Sequence, residues 1–183
     1  MSDLMARAAA PFLEIVRNIK PDQLGSPTPC AEFDVRALID HLLHWGPSLE
    51  GAARKEAVPP GGASGDWAEA LEAQVERTLA AWRPASAWEG MTTMGGSFEL
   101  PAELVGGMVV GEFVVHGWDL ARATGQHVEW DADVVDYVHR EIARSADQGR
   151  EMGVYGPEAP VPTDASTLDK ALALSGRSPS WPA

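Results

Sequence analysis

Cysteine is almost missing from this chain: Cys30 is the only one. A single thiol excludes an intrachain disulfide, a cysteine-rich zinc finger and a CxxC redox pair. Lysine is nearly as scarce, with three against eleven arginines, and no window clusters more than two basic residues. Acidic residues outnumber basic ones 27 to 14, for a formal charge of −13. A surface of that sign repels phosphate backbones and anionic lipid, so neither nucleic acid nor a membrane surface is an expected partner. No basic, then apolar, leader follows Met1-Ser2-Asp3, so no signal peptide is expected. The most apolar stretch, Leu100 to Trp118, is broken by Glu103, Glu112 and His116, which argues against a membrane span. The expected location is the cytoplasm.

What is present suits one domain: 183 residues, 45% hydrophobic and 22% charged, enough to build a sizeable core. Apolar residues at three- and four-residue spacing predict a first helix over Asp3 to Ile19, with Pro11 inside it. Asp34 reads as the N-cap of a second helix from Val35 to about Glu56, striped by Val35, Leu38, Leu42, Trp45 and Leu49. A Pro- and Gly-rich crossing loop, Val58 to Gly65, precedes a third helix over Asp66 to Trp82. A hairpin or extended loop is expected between Pro84 and Leu100. Pro101 then opens a fourth helix that Gly125 stops. A fifth helix is read over Asp131 to Gln148, and a short one over Thr167 to Leu174 in a Pro-rich tail. The fold class is all-α: a four-helix bundle with a long crossover, an extra helix and a coil-rich C-terminal tail. The core spans about 3–150 and the tail 151–183 of a single domain.

Chemistry concentrates on the fourth helix. At about 100° per residue, Val105, Met108, Val109, Glu112, His116, Asp119 and Leu120 share the face expected to meet the core. Glu112 and His116 stand one turn apart on it, Cβ atoms about 5–6 Å from each other. A carboxylate in an apolar seam is costly unless paired or bound to a cation, and bundle cores build metal sites from such side chains. The same spacing also suits a plain hydrogen-bonded pair on a solvated face. On the second helix His41 lies about 40° from Trp45 on the wheel, toward the seam, and offers a third ligand. His44 turns about 60° the other way and is expected outside the site. His127 and His139 fall off both stripes. His41-Leu42-Leu43-His44 is not the HExxH of zinc proteases, having the wrong spacing and no glutamate after the first histidine. Gly106-Gly107 sits within a helix and suggests close packing rather than a phosphate loop. Cys30 precedes a helix start, where a thiolate is favoured, but a small buried hydrophobe is the commoner role for such a residue and the one expected here.

Two segments carry a resemblance: Thr28-Pro29-Cys30-Ala31-Glu32-Phe33-Asp34-Val35-Arg36-Ala37-Leu38 with His41, and Glu112-Phe113-Val114-Val115-His116-Gly117-Trp118-Asp119-Leu120-Ala121. Together they resemble the DinB-like metalloprotein superfamily, in the branch of the metal-binding domain of mycothiol-dependent maleylpyruvate isomerase. The resemblance spans about residues 5 to 150 and implies an up-down-down-up bundle. It places the metal ligands on His41, Glu112 and His116, the positions the wheel selects. It also implies zinc, with nickel or iron as alternatives, and mycothiol as a cosubstrate. The isomerase carries a further C-terminal domain that these residues do not include, so its own reaction is not expected here.

The leading functional reading is a metal-dependent thiol transferase or isomerase. Its partners are a small-molecule substrate and a thiol, and a homodimer is the one protein assembly left open. Trp45 and Trp118 are expected to wall the cosubstrate pocket, and Asp119 to orient a ligand imidazole or accept a proton. The rival reading is a non-catalytic metal- or small-molecule-binding bundle whose ion would be fully coordinated by protein.

Overall fold

Side-chain caps start the helices where the sequence puts acidic and hydroxyl residues. In the computed structural model, which describes residues 1–62 and 65–182, the Asp34 carboxylate accepts from the Ala37 amide at 2.7 Å and opens α2 (Val35–Ala53). Asp66 accepts from the amides of Ala68 and Glu69 and opens α3 (Trp67–Trp82). The first helix, α1 (Ser2–Asn18), runs through Pro11, forgoing one backbone bond while Met5, Ala8, Phe12, Ile15 and Val16 bury its apolar face. Helix α2 stops before the expected Glu56 because Lys55 turns the chain with φ 62. The crossing loop then returns along α2, its Gly61 amide donating to the His44 carbonyl at 2.9 Å. Ala63 and Ser64 of that predicted loop lie outside the described residues.

Contacts along the rods fix the bundle directions. Trp67 at the start of α3 lines a cleft with Leu43 and His44 of α2, Gln74 packs against Gly46, and the Trp82 indole N–H donates to the Leu49 carbonyl at 3.0 Å, so α2 and α3 run parallel. Arg17 at the end of α1 pairs with Glu72 near the start of α3, so α1 runs against both. Phe12 stacks on Phe113 at 5.5 Å, and Gln126 reaches the Ile15 carbonyl, which aligns the fourth rod with α1. The result is the DinB-like up-down-down-up bundle.

The fourth rod corrects two expectations. A short antiparallel hairpin, β1 (Met91–Thr93) and β2 (Glu99–Pro101), precedes it, so Pro101 closes a strand and the helix begins one residue later. The rod is also not a uniform helix: α4 (Ala102–Gly111) passes through a π turn at Glu112–His116 into α5 (Gly117–Ala123), which Gly125 ends at φ 68. By length and composition residues 102–123 would suit a membrane span, yet 78% of an 18-residue window within it is buried inside the bundle. Gly106 admits the Trp88 ring so closely that a Cβ there would lie 2.4 Å from it, which accounts for the glycine pair by packing.

A further helix, α6 (Ala132–Glu151), covers the other side of the rod and takes α7 (Thr167–Leu174) against itself. This second neighbour overturns the single-stripe reading of the fourth helix. Val110 and Val114, off the predicted stripe, are fully buried, whereas Met108, on it, is 37% exposed. Met108 therefore faces solvent, and Glu112 lines a cleft rather than the bottom of the core.

Candidate metal centre

His41 is brought to the site by α2, and Glu112 and His116 by the π turn. Glu112 Oε2 lies 3.8 Å from His41 Nε2 and 3.5 Å from His116 Nε2. The two imidazole rings meet edge to face with centroids 5.3 Å apart. One ligating atom from each of the three residues lies within 4.8 Å of the others. Glu112 Oε2 is shielded from solvent and has no hydrogen-bond partner. A carboxylate oxygen without a protein partner, set between two imidazole nitrogens, fits a divalent cation. Tetrahedral zinc with bonds of about 2.0–2.1 Å spaces its ligands about 3.4 Å apart, close to the distances found. Burial works to raise the Glu112 carboxyl, but His116, His41 and Arg177 outweigh it and hold the group below its ordinary value. The donor set is anionic and imidazole-rich, which suits a divalent ion.

Behind His116 stands a buried support. Its Nδ1 lies 3.0 Å from Oδ2 of Asp119, which has no solvent exposure at all. A carboxylate on the far nitrogen fixes the tautomer and turns the other nitrogen toward the ligand position. Asp119 in turn accepts from Arg177 Nη2 at 3.1 Å. Cys30 is half-buried beside this group, its Sγ 3.3 Å from the same Nη2. Burial pushes the Cys30 thiol up, and the nearby Arg177 charge only partly offsets this. It is thus neither a helix-capped thiolate nor a plain core hydrophobe, since Asp34 takes the cap.

The remaining sequence candidates divide. His44 is exposed, edge-on to Trp45, and lines a separate cleft of about 260 Å³ with Arg36, Asp40 and Trp67. Trp45 is 37% exposed and borders a narrow apolar cleft that reaches Glu112 between Leu42, Val109 and Phe113. Trp118 lines neither cleft: it is buried, with the Arg122 guanidinium 6.0 Å from its ring centre. His127 is exposed against Glu129. Sequence reasoning missed Arg177 and the π turn. A lone arginine in a Pro-rich tail carries no periodicity, and a π turn leaves no mark in apolar spacing.

The family model described as "Mycothiol maleylpyruvate isomerase N-terminal domain" matches residues 5–121. Two uncharacterised proteins of Mycobacterium tuberculosis, from strains CDC 1551 and H37Rv, are each 31% identical over 186 residues, covering 97% of this chain and 98% of theirs. Crystal structures of mycothiol-dependent maleylpyruvate isomerase superpose with a TM-score of 0.61, and of its histidine-to-alanine mutant with 0.63. Both are 16% identical and cover 81% of this chain and 70% of that one, a likeness of fold. The chain belongs to the mycothiol maleylpyruvate isomerase N-terminal domain family.

Proposed function

We propose that the protein is a metal-dependent enzyme that activates a low-molecular-weight thiol of the mycothiol type for transfer or isomerisation. The carrying observation is the ligand count. Among the described residues, His41, Glu112 and His116 converge on one point with no fourth side chain among them. Asp119 and Cys30 are engaged by Arg177, and His44 faces another cleft. Three protein ligands with one position left over is the pattern of catalytic rather than structural zinc.

A divalent ion bound there, zinc or else nickel or iron, supplies a Lewis acid that favours the thiolate at neutral pH. The protein's own residues do the rest. Glu112 brings the negative charge that draws a cation into the site, and His41 and His116 fix its place from two separate rods. Asp119 holds the proton on His116 Nδ1, keeping Nε2 free as a donor pair. The Trp45 side of the cleft, with Leu42, Val109 and Phe113, offers apolar surface to an electrophile. Trp118 lies buried beside Arg122 and serves the fold.

The test is elemental analysis of the purified protein, followed by a thiol-consumption screen against electrophiles with metal-loaded and His116→Ala protein. Turnover that needs both metal and thiol supports the reading. Stoichiometric metal in a His41→Ala/His116→Ala double variant would sink the ligand assignment. Metal held with a fourth protein ligand, and no thiol turnover, would favour a non-catalytic metal-binding bundle.

A further inference from the structure

We propose that Arg177, brought in by the C-terminal tail, is a positioning residue of the metal centre. It fixes the Asp119 carboxylate that aims His116, and through Cys30 it ties that arrangement to the segment leading into α2. The inference rests on the reading that His41, Glu112 and His116 hold a divalent ion.

The guanidinium is engaged on every side. Its Nη2 donates to Asp119 Oδ2 at 3.1 Å and reaches Cys30 Sγ at 3.3 Å. Its Nε stands 3.4 Å from each Asp119 oxygen, and Nη1 donates to the Ser175 carbonyl at 3.0 Å. Arg177 is only 7% exposed and Asp119 not at all. Withdrawing both charges from water is a poor way to gain stability, because apolar residues of similar volume do as well or better. What a rigid, planar fork gives instead is a fixed direction. That direction matters here, because the Asp119 oxygen it holds is the one bonded to His116 Nδ1.

The location of the contacts strengthens the case. Cys30 lies in the loop whose chain enters α2 five residues later, and α2 carries His41. Asp119 lies on α5, one turn past His116. One side chain therefore spans the two elements whose separation sets the distance between the histidine ligands. The lone cysteine serves here as a soft acceptor that sets the tilt of the guanidinium.

The experiment measures Zn²⁺ affinity by competition with a chromophoric chelator, for wild type, Arg177→Ala, Arg177→Lys, Asp119→Asn and the Asp119→Asn/Arg177→Ala double variant. Loss of an outer partner of a ligand histidine typically weakens metal binding about 10- to 100-fold, and Arg177→Ala is expected in that range. Arg177→Lys should recover part of the loss, since it restores charge without the fork. In the Asp119→Asn background, Arg177→Ala should add no more than about twofold, because its effect passes through Asp119. A purely structural arginine would lower the melting temperature in both backgrounds and leave affinity alone. Should Arg177→Ala fail to fold, Arg177→Gln is read in the same way. Arg177→Ala affinity within twofold of wild type, or an equal loss in the Asp119→Asn background, overturns the proposal by itself. A wild-type protein that binds no Zn²⁺, Ni²⁺ or Fe²⁺ overturns the metal reading and this proposal with it.

Discussion

Glu50 and Glu112 are both glutamates on the inner side of the bundle, and they have been resolved in opposite ways. Glu50 faces Arg54, Gln74 and Arg77; its Oε2 accepts from Gln74 at 2.9 Å and from Arg77 at 3.3 Å, and its Oε1 from Arg54. Burial works to raise its carboxyl, and these partners outweigh that and hold it low. Glu112 has no such company: its Oε2 makes no hydrogen bond and its neighbours are two imidazoles. A carboxylate satisfied by its own protein is architecture. One left short of partners between two imidazoles is the feature on which the proposed metal site rests.

The largest effect should separate the two glutamates outright. Alanine at His41, Glu112 or His116 is expected to weaken divalent-metal binding more than tenfold, whereas Glu50→Gln should leave it within about twofold. Isothermal titration or chelator competition measures both, and equal losses at Glu50 and Glu112 would erase the distinction. Next comes removal of the ion. The bundle has its own core, unlike a zinc finger, so chelated protein should keep its helical circular dichroism. Saturation at about a hundred times Kd adds about 2.7 kcal/mol, about 5–10 °C in melting temperature for a chain of this size. Loss of the helical signal on chelation would make the ion structural.

The Glu50 network predicts a smaller, pH-dependent change. Its folded carboxyl sits below the ordinary value. The stabilisation is therefore complete well above the unfolded pKa of about 4.3 and is lost as pH falls through the lower folded value. Glu50→Gln should cost about 1–3 kcal/mol at neutral pH. Its denaturation midpoints should also fall less steeply between neutrality and strong acid. An unchanged acid slope would show that the partners hold Glu50 no better than water does. Smallest of all is His44→Ala, which should change metal affinity by less than about twofold, because its ring lines the other cleft. A metal loss there comparable to His41→Ala would shift the register of α2 by one turn.

How much of this was legible in the chain follows from the range of each interaction. The cap at Asp34, the start of the third helix at Asp66, and the tail helix over Thr167–Leu174 depend on neighbours a few residues away, and sequence places them within a residue or two. The grouping of His41 with Glu112 and His116 was accessible because helical phase carries over many turns. The phase reading misplaced Met108, since α6 buries a second side of the rod that no local pattern announces. Trp118 lies two residues past His116 on α5, about 200° around a helix, so adjacency in sequence does not put it on the His116 face, and it is buried instead. The role of Arg177 was invisible, because its partners Asp119 and Cys30 are 58 and 147 residues away.

That last separation bears on the order in which the protein assembles. Contacts between distant residues form late, since the entropy of closing the intervening chain must be met before they stabilise anything. His116 and Glu112 share one turn, and His41 belongs to a rod that packs directly on theirs, so the three ligands can gather once the bundle exists. The Arg177 contact with Cys30 draws together segments near opposite ends of the chain and waits for the tail to return over the bundle. The centre is thus built in two stages, a triad that gathers with the bundle and a clasp that closes behind His116 last.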